Sequence, residues 1–283
     1  MSASLSYYWF RFRSALRWYA HAGTRYDVHS PRLHAFVNEV YRDQRHYHAF
    51  DLIRAIRNWW SGRKGTVKLQ SLGAPSKTTN KTSRSVSSLV ATNAIADREG
   101  RLLFRLALWL RADFILEFGT NAGISTLYLH AADTRARLLT VEGNPEVAAL
   151  ARDTFAKAGT SDQLTPFTDR FDHWLTHHWP ALSATEGPLD LFFLDGDHRH
   201  QPTLDYVRAV LPKASARSVF VIADIHWSEG MERAWADLKA MPEVTASVDL
   251  YHFGLLFFDP GMDGPHVGLL PTWYKPWRMG FFS

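Results

Sequence analysis

Four groups of residues have the types and spacing to do chemistry. Glu117-Phe118-Gly119-Thr120-Asn121-Ala122-Gly123 puts an acid and two glycines where an apolar run gives way to a helical pattern. Glu142 ends the next apolar run, 23 residues after Gly119, where a carboxylate can accept both hydroxyls of a ribose. Asp195-Gly196-Asp197-His198 and Asp224-Ile225-His226 close two further apolar runs. Carboxylates and imidazoles so placed can bind a cation or take a proton near neutral pH.

The glycine turn discriminates between nucleotides. A dinucleotide fold needs G-x-G-x-x-G to seat a pyrophosphate on a helix N-terminus. Here Thr120 and Asn121 fill the middle and Glu117 precedes the first glycine. An acid repels phosphate and attracts an amino or sulfonium group, which points to S-adenosylmethionine. A tight turn would account for the glycines alone, but not for turn, spacing and terminal acid together.

For these groups to meet, the apolar runs must be parallel strands whose carboxyl ends lie side by side. From Asp113 onward the pattern is strand, turn, helix, repeated: 114–118, 138–142, 189–194 and 218–223 are strand candidates. Asn144 and Pro145 supply an N-cap and first-turn proline for a helix that Gly159 closes. Such alternation predicts an α/β fold with a mostly parallel sheet and helices on both faces. Thr245 to Leu250 and Phe253 to Phe258, separated only by Tyr251 and His252, predict an antiparallel C-terminal hairpin at the sheet edge.

Upstream lies a helical extension. Tyr7 to Tyr19 is an aromatic helix, Ser30-Pro31 starts a helix through about Val40, and a third covers about 47–60. Residues 62–88 are rich in Lys, Ser, Thr, Gly and Pro, including Gly73-Ala74-Pro75-Ser76-Lys77, a lid or linker by composition. Helical spacing returns over 89–110. The division expected is 1–88 as a basic helical extension with a lid loop and 89–283 as the sheet domain.

The 283 residues are 46% apolar and 21% charged, which excludes global disorder. No apolar run is long enough to cross a bilayer and the start lacks a secretory h-region, so the expected location is cytoplasmic. The absence of cysteine excludes thiol nucleophiles, disulfides and iron–sulfur clusters. Residues 1–112 carry 19 Lys and Arg against 6 Asp and Glu; the remainder carries 13 against 22. The basic arm is expected to fold against the acidic body, in preference to contacting nucleic acid or a membrane.

The E-x-G-x-x-x-G turn, the acid after the second strand and the closing hairpin resemble the class I S-adenosylmethionine-dependent methyltransferases, over about 113–258, with their Rossmann-like sheet. Phe193 to His198 and Val221 to His226 resemble the metal-dependent O-methyltransferases of catechol and antibiotic sugars. Tyr26 to Pro31, with the Gly73 loop, resembles a bacterial methyltransferase group of unassigned substrate. The resemblance implies that Glu117, Gly119, Thr120, Asn121, Gly123 and Ser125 serve the methionine end of the cofactor. Glu142 would bind the ribose, Asp169, Arg170 and Phe171 the adenine, and Asp195 would line the same pocket. It also implies a divalent cation on Asp195 and Asp224, with magnesium suiting two carboxylates and waters. Ile225 departs from the pattern, because relatives carry Asn or Asp there; the metal is therefore open.

The function expected is transfer of a methyl group to a hydroxyl of a small-molecule acceptor, which requires alignment and a base. Asp197, His198 and His226 are the candidates, and Asp197 is favoured by the antibiotic-sugar relatives. Each has a bland alternative: Asp197 as a helix cap, each histidine as a neighbour's hydrogen-bond partner. His200, His252 and the pairs His46/His48 and His177/His178 are expected to be surface or packing residues. Nucleic-acid methylation and a cofactor-binding module without catalysis are the competing functions.

Overall fold

The computed structural model describes residues 5–69, 83–262 and 266–278. The Gly73 to Lys77 segment of the expected lid lies outside them. Eight strands form the main sheet: β1 (Phe114–Phe118), β2 (Arg137–Glu142), β3 (Leu164–Thr168), β4 (Leu191–Leu194), β5 (Val219–Ala223), β6 (Ala246–Asp249), β7 (Phe253–Phe257) and β8 (His266–Gly268). Their order is β8-β6-β7-β5-β4-β1-β2-β3, with β7 antiparallel to both neighbours and every other pair parallel. The hairpin is antiparallel as expected but is not the edge. β7 inserts beside β5, and β8 covers the outer side of β6.

Strands β1, β5 and β7 are buried along their whole length, so they read as continuous apolar runs. Alternate residues feed two cores. Ile115, Phe193 and Val221 face one cluster, while Leu116, Phe192 and Phe220 face the other. The first is covered by α2 (Pro31–Phe36), α3 (His48–Ser61), α4 (Val86–Asn93), α5 (Asp97–Leu110), α6 (Ile124–Ala132) and α7 (Pro145–Ala158). The second is covered by α8 (Phe171–His177), α9 (Trp179–Thr185), α10 (His200–Val210) and α11 (Glu229–Lys239).

The extension shares its core with the sheet: Phe36, Phe50, Ile53 and Trp60 are buried in the same cluster as Phe104 and Tyr128. The expected boundary at 88 falls inside α4. The single helix expected over 89–110 is two, because Ala94 and Ala96 are extended and Ile95 between them is buried. This break carries Asn93 to Ala96 and Glu99 to the carboxyl ends of the strands. Ser30 occupies the N-cap position of α2 without a side-chain capping bond; Thr24 and Asp27 form a capping box upstream instead.

Helix α1 (Leu5–His21) buries only Ser14. Trp18 and Tyr19 face the body, but Tyr8, Trp9, Phe12 and Leu16 are exposed, so half of the stripe expected to dock does not. Charge joins extension to body at Arg32–Asp259 (2.6 Å) and Arg17–Glu232 (3.5 Å). Segments from opposite ends of the sequence also meet: the Gly23 amide donates to Gly268 O, Leu270 N donates to Gly23 O, and Lys275 Nζ reaches the carbonyls of Ala20 and Ala22.

Candidate active site

The tips of β1, β2, β4 and β5 surround a cleft of about 760 Å³ whose wall includes Glu99, Glu142, Asp172, Asp195 and Asp224, with Arg170 as its cation. At the first tip, Gly119 has φ +101°, and a Cβ there would lie 2.0 Å from the Asp195 carbonyl oxygen. The glycine therefore serves the packing of turn against strand end. Gly119 and Asn121 line the cleft; Thr120, Gly123 and Ser125 do not and are packed within the turn and helix behind it.

Glu117 is wholly buried and outside the cleft wall. Its Oε2 accepts from Thr140 (2.7 Å) and Thr126 (2.5 Å), while Oε1 has no partner among the described residues. Burial, only partly offset by the hydroxyls of Ser125, Thr126 and Thr140, raises its pKa. Glu142 is in the wall. Its two oxygens accept the backbone N–H groups of Asn121 and Asn144, both at 2.9 Å, which fixes the carboxylate where ribose hydroxyls can donate to its remaining lone pairs. Burial raises this pKa also, against the lowering effect of those amides and that of Gly143.

After β3, the structure separates the expected adenine residues. Phe171 and Arg170 line the cleft, and Phe171 stacks on Phe118 at 4.7 Å between ring centres. It is thus core and wall at once. Asp169 is turned out to His173 (2.6 Å), and Asp172, held by Arg170, takes the place in the cleft instead.

At the fourth and fifth tips, Asp195, Asp197, His198 and Asp224 come together. Asp197, His198, Asp224 and Asn121 all have positive φ, 67°, 45°, 55° and 50°, and all line the cleft. Strained non-glycine backbone of this kind clusters at functional sites. Asp197, the favoured base, is engaged: Arg199 grips both its oxygens and Tyr206 donates to Oδ2 at 2.7 Å. His198 is better placed. Its Nε2 lies 3.8 Å from Asp195 and 3.9 Å from Asp224, and its ring is tilted against Trp227. Burial lowers its pKa, outweighing the raising effect of Asp224 and Asp197. The Asp195 carboxyl is pushed well above the usual range, by burial first and by Asp224 and the other acids second.

Magnesium, left open by the sequence, does not fit this set. Ile225 is fully buried and offers no donor, His198 stands between the two carboxylates, and no group of three ligating side chains assembles among the described residues. Turnover is therefore expected to survive saturating EDTA with less than a twofold change; a tenfold loss restored by magnesium would contradict this.

His226 is not in the cleft. Its Nδ1 faces Glu232 (3.0 Å), its Nε2 faces Asp249 (2.8 Å), and its ring stacks on Tyr251. Ser14 of α1 hydrogen-bonds both His226 and Glu232, and Arg17 approaches Glu232. This makes His226 a fastening between α1 and the body and removes it from the candidate bases. Burial lowers its pKa, but Asp249 and Glu232 outweigh that and raise it. A group whose folded pKa is raised stabilises fully below its unfolded value of about 6.5, and the contribution fades as pH rises through the folded value. Tryptic cleavage at Arg11, Arg13 and Arg17 is thus expected to accelerate between pH 6.5 and 9, and His226→Ala to be cleaved quickly throughout. Equal rates at both pH values would count against this fastening.

Sequence reasoning missed Glu99, Asp172 and Tyr206; His252, expected as a surface or packing residue, is exposed and also lines the cleft. Glu99 comes from a separate helix, so no spacing signal could have found it.

Residues 116–225, less than half the chain, match the profile of a methyltransferase domain family. A catechol O-methyltransferase of Niastella koreensis is 31% identical over 48% of this chain and 64% of that one, and a second from Mycobacterium tuberculosis is 29% identical over 47% and 57%. The chain thus spans about three-fifths of the length of these relatives. A methyltransferase of Podospora anserina, solved with S-adenosylhomocysteine, superposes with TM-score 0.55 at 17% identity, over 80% of this chain and 94% of that one. An O-methyltransferase of Streptomyces achromogenes, solved with S-adenosylmethionine, gives 0.52 at 20% identity over 82% and 99%. This chain thus has the fold of the class I methyltransferases, and its residues 116–225 match a methyltransferase domain profile.

Proposed function

We propose that the chain binds S-adenosylmethionine in the 760 Å³ cleft and directs methyl transfer to a hydroxyl of a small-molecule acceptor. The observation that carries this reading is Glu142, pinned by two backbone amides at the rim of a cleft whose other charges are mostly carboxylates. That wall suits a cationic nucleoside and opposes a nucleotide phosphate. Bound there, S-adenosylmethionine supplies an electrophilic methyl group on sulfur.

The chain's own residues then have distinct tasks. Glu142 accepts the ribose hydroxyls and Phe171 offers a flat apolar wall for the base. Asp195 and Asp224 provide the acidic floor. His198, held neutral by burial, accepts the acceptor's hydroxyl proton on a ring nitrogen, and Trp227 walls the acceptor beside it. Asp197 positions this loop through Arg199 and Tyr206. The relatives named for catechol and other O-methylation support a small hydroxylated acceptor.

The test has two measurements: calorimetry with S-adenosylhomocysteine, and turnover on a panel of catechols and other hydroxylated aromatics. Saturable one-to-one binding with transfer to at least one acceptor is expected. Binding without transfer would indicate a cofactor-binding module; no binding would remove the reading altogether.

A further inference from the structure

Beside the cleft lies a second cavity of about 410 Å³, within the roughly 300–1,000 Å³ range of small-molecule sites. Its wall is of a different kind. Trp18, Leu102, Leu250, Leu269 and Leu270 make it apolar, and Ala15 and Tyr19 of α1 close one side. The two arginines in the wall are paired: Arg105 with Asp43 outside it at 3.4 Å, and Arg98 with Tyr41 of the same wall. Glu99, His252 and Phe253 belong to the walls of both cavities. The shared turn is anchored to the reacting end, because the Asp224 amide donates to the His252 carbonyl at 2.6 Å. Thus a polar cleft holding His198 and Trp227 adjoins an apolar chamber, and α1 forms part of the chamber's wall.

We propose that the chamber binds the apolar part of the acceptor, whose class is an amphiphilic hydroxylated aromatic: a hydroxyl-bearing ring beside His198 and an uncharged hydrocarbon substituent in the chamber. This rests on the acceptor reading above. A chamber lined by Leu and Trp and adjoining the reaction cleft through shared wall residues gains from hydrocarbon what it cannot gain from water, which needs several polar partners. The acidic cleft and the apolar chamber together disfavour an anionic or sugar-like acceptor.

The probes are 4-alkylcatechols from methyl to hexyl, added to the full chain saturated with S-adenosylhomocysteine for calorimetry and with S-adenosylmethionine for turnover. Affinity is expected to rise about three- to fourfold per methylene until the chamber is full, and kcat/KM to rise with it. Leu102→Trp and Ala15→Leu, which place extra atoms in the chamber, should each flatten that dependence; two sites guard against one variant failing to fold, and S-adenosylhomocysteine binding reports folding. Affinity indifferent to tail length, or rising equally in both variants, overturns the chamber. Tail-dependent binding with no turnover of any probe would uphold the chamber and remove methyl transfer. Turnover of catechol without tail dependence would do the reverse.

Discussion

Glu142→Ala is expected to weaken S-adenosylhomocysteine binding at least a hundredfold in calorimetry. The substitution removes the acceptor for two ribose hydroxyls and strands the amides of Asn121 and Asn144, which both donate to it. Unpaired ribose hydroxyls in a buried site cost roughly 1–3 kcal/mol each, so the loss of two gives a change of this size, while the stranded amides lower stability. Glu142→Gln discriminates between cause and collapse. It keeps one carbonyl acceptor, and its loss should be about tenfold. If Glu142→Ala binds as tightly as the parent while retaining its melting temperature, the ribose is not held here.

His198→Ala is expected to lower kcat by about 10²- to 10⁴-fold, the range for removing a general base, while S-adenosylhomocysteine binding changes little. The pH dependence gives the sharper signature. Burial lowers the His198 pKa, so in the parent the rate should fall only as pH drops below the usual histidine value of about 6.5 and be flat above it. The variant should lose that acidic limb. A kcat within threefold of the parent, with the limb intact, would assign proton removal to another group; Asp197→Asn would then be the next variant to measure, even though Arg199 and Tyr206 already occupy that carboxylate.

The parallel strands and the antiparallel hairpin were legible because β1, β4 and β5 are buried on both faces and each ends in a charged or glycine-rich turn, a local pattern; the hairpin's place inside the sheet edge was not. The α7 helix was legible to its ends: the Asn144 side chain accepts from Glu146 and Val147, and Gly159 takes the left-handed conformation. What escaped was decided by partners distant in the chain. His226 has the sequence position of a base, just past a strand tip, but Glu232 and Asp249 take both its nitrogens. Asp169 and Asp172 are indistinguishable by type and proximity, and only the pairing of Asp169 with His173 settles which one enters the cleft. The break between α4 and α5 carries no glycine or proline, since two extended alanines flanking a buried isoleucine are enough.

The bonds joining Gly23 to Gly268 and Leu270, and Lys275 to Ala20 and Ala22, have a temporal meaning. During synthesis the aromatic helix emerges well before the strand at 266–268 and the Lys275 clasp that receive it. Until they arrive that helix has only part of its seat, on His226, Glu232 and Tyr251, and the hydrocarbon wall it completes stays open on the side of Leu269 and Leu270. A nascent chain halted before residue 266 would leave Tyr19 without Tyr274 and Lys275, and so expose an aromatic edge that holdase chaperones can grip until those residues arrive.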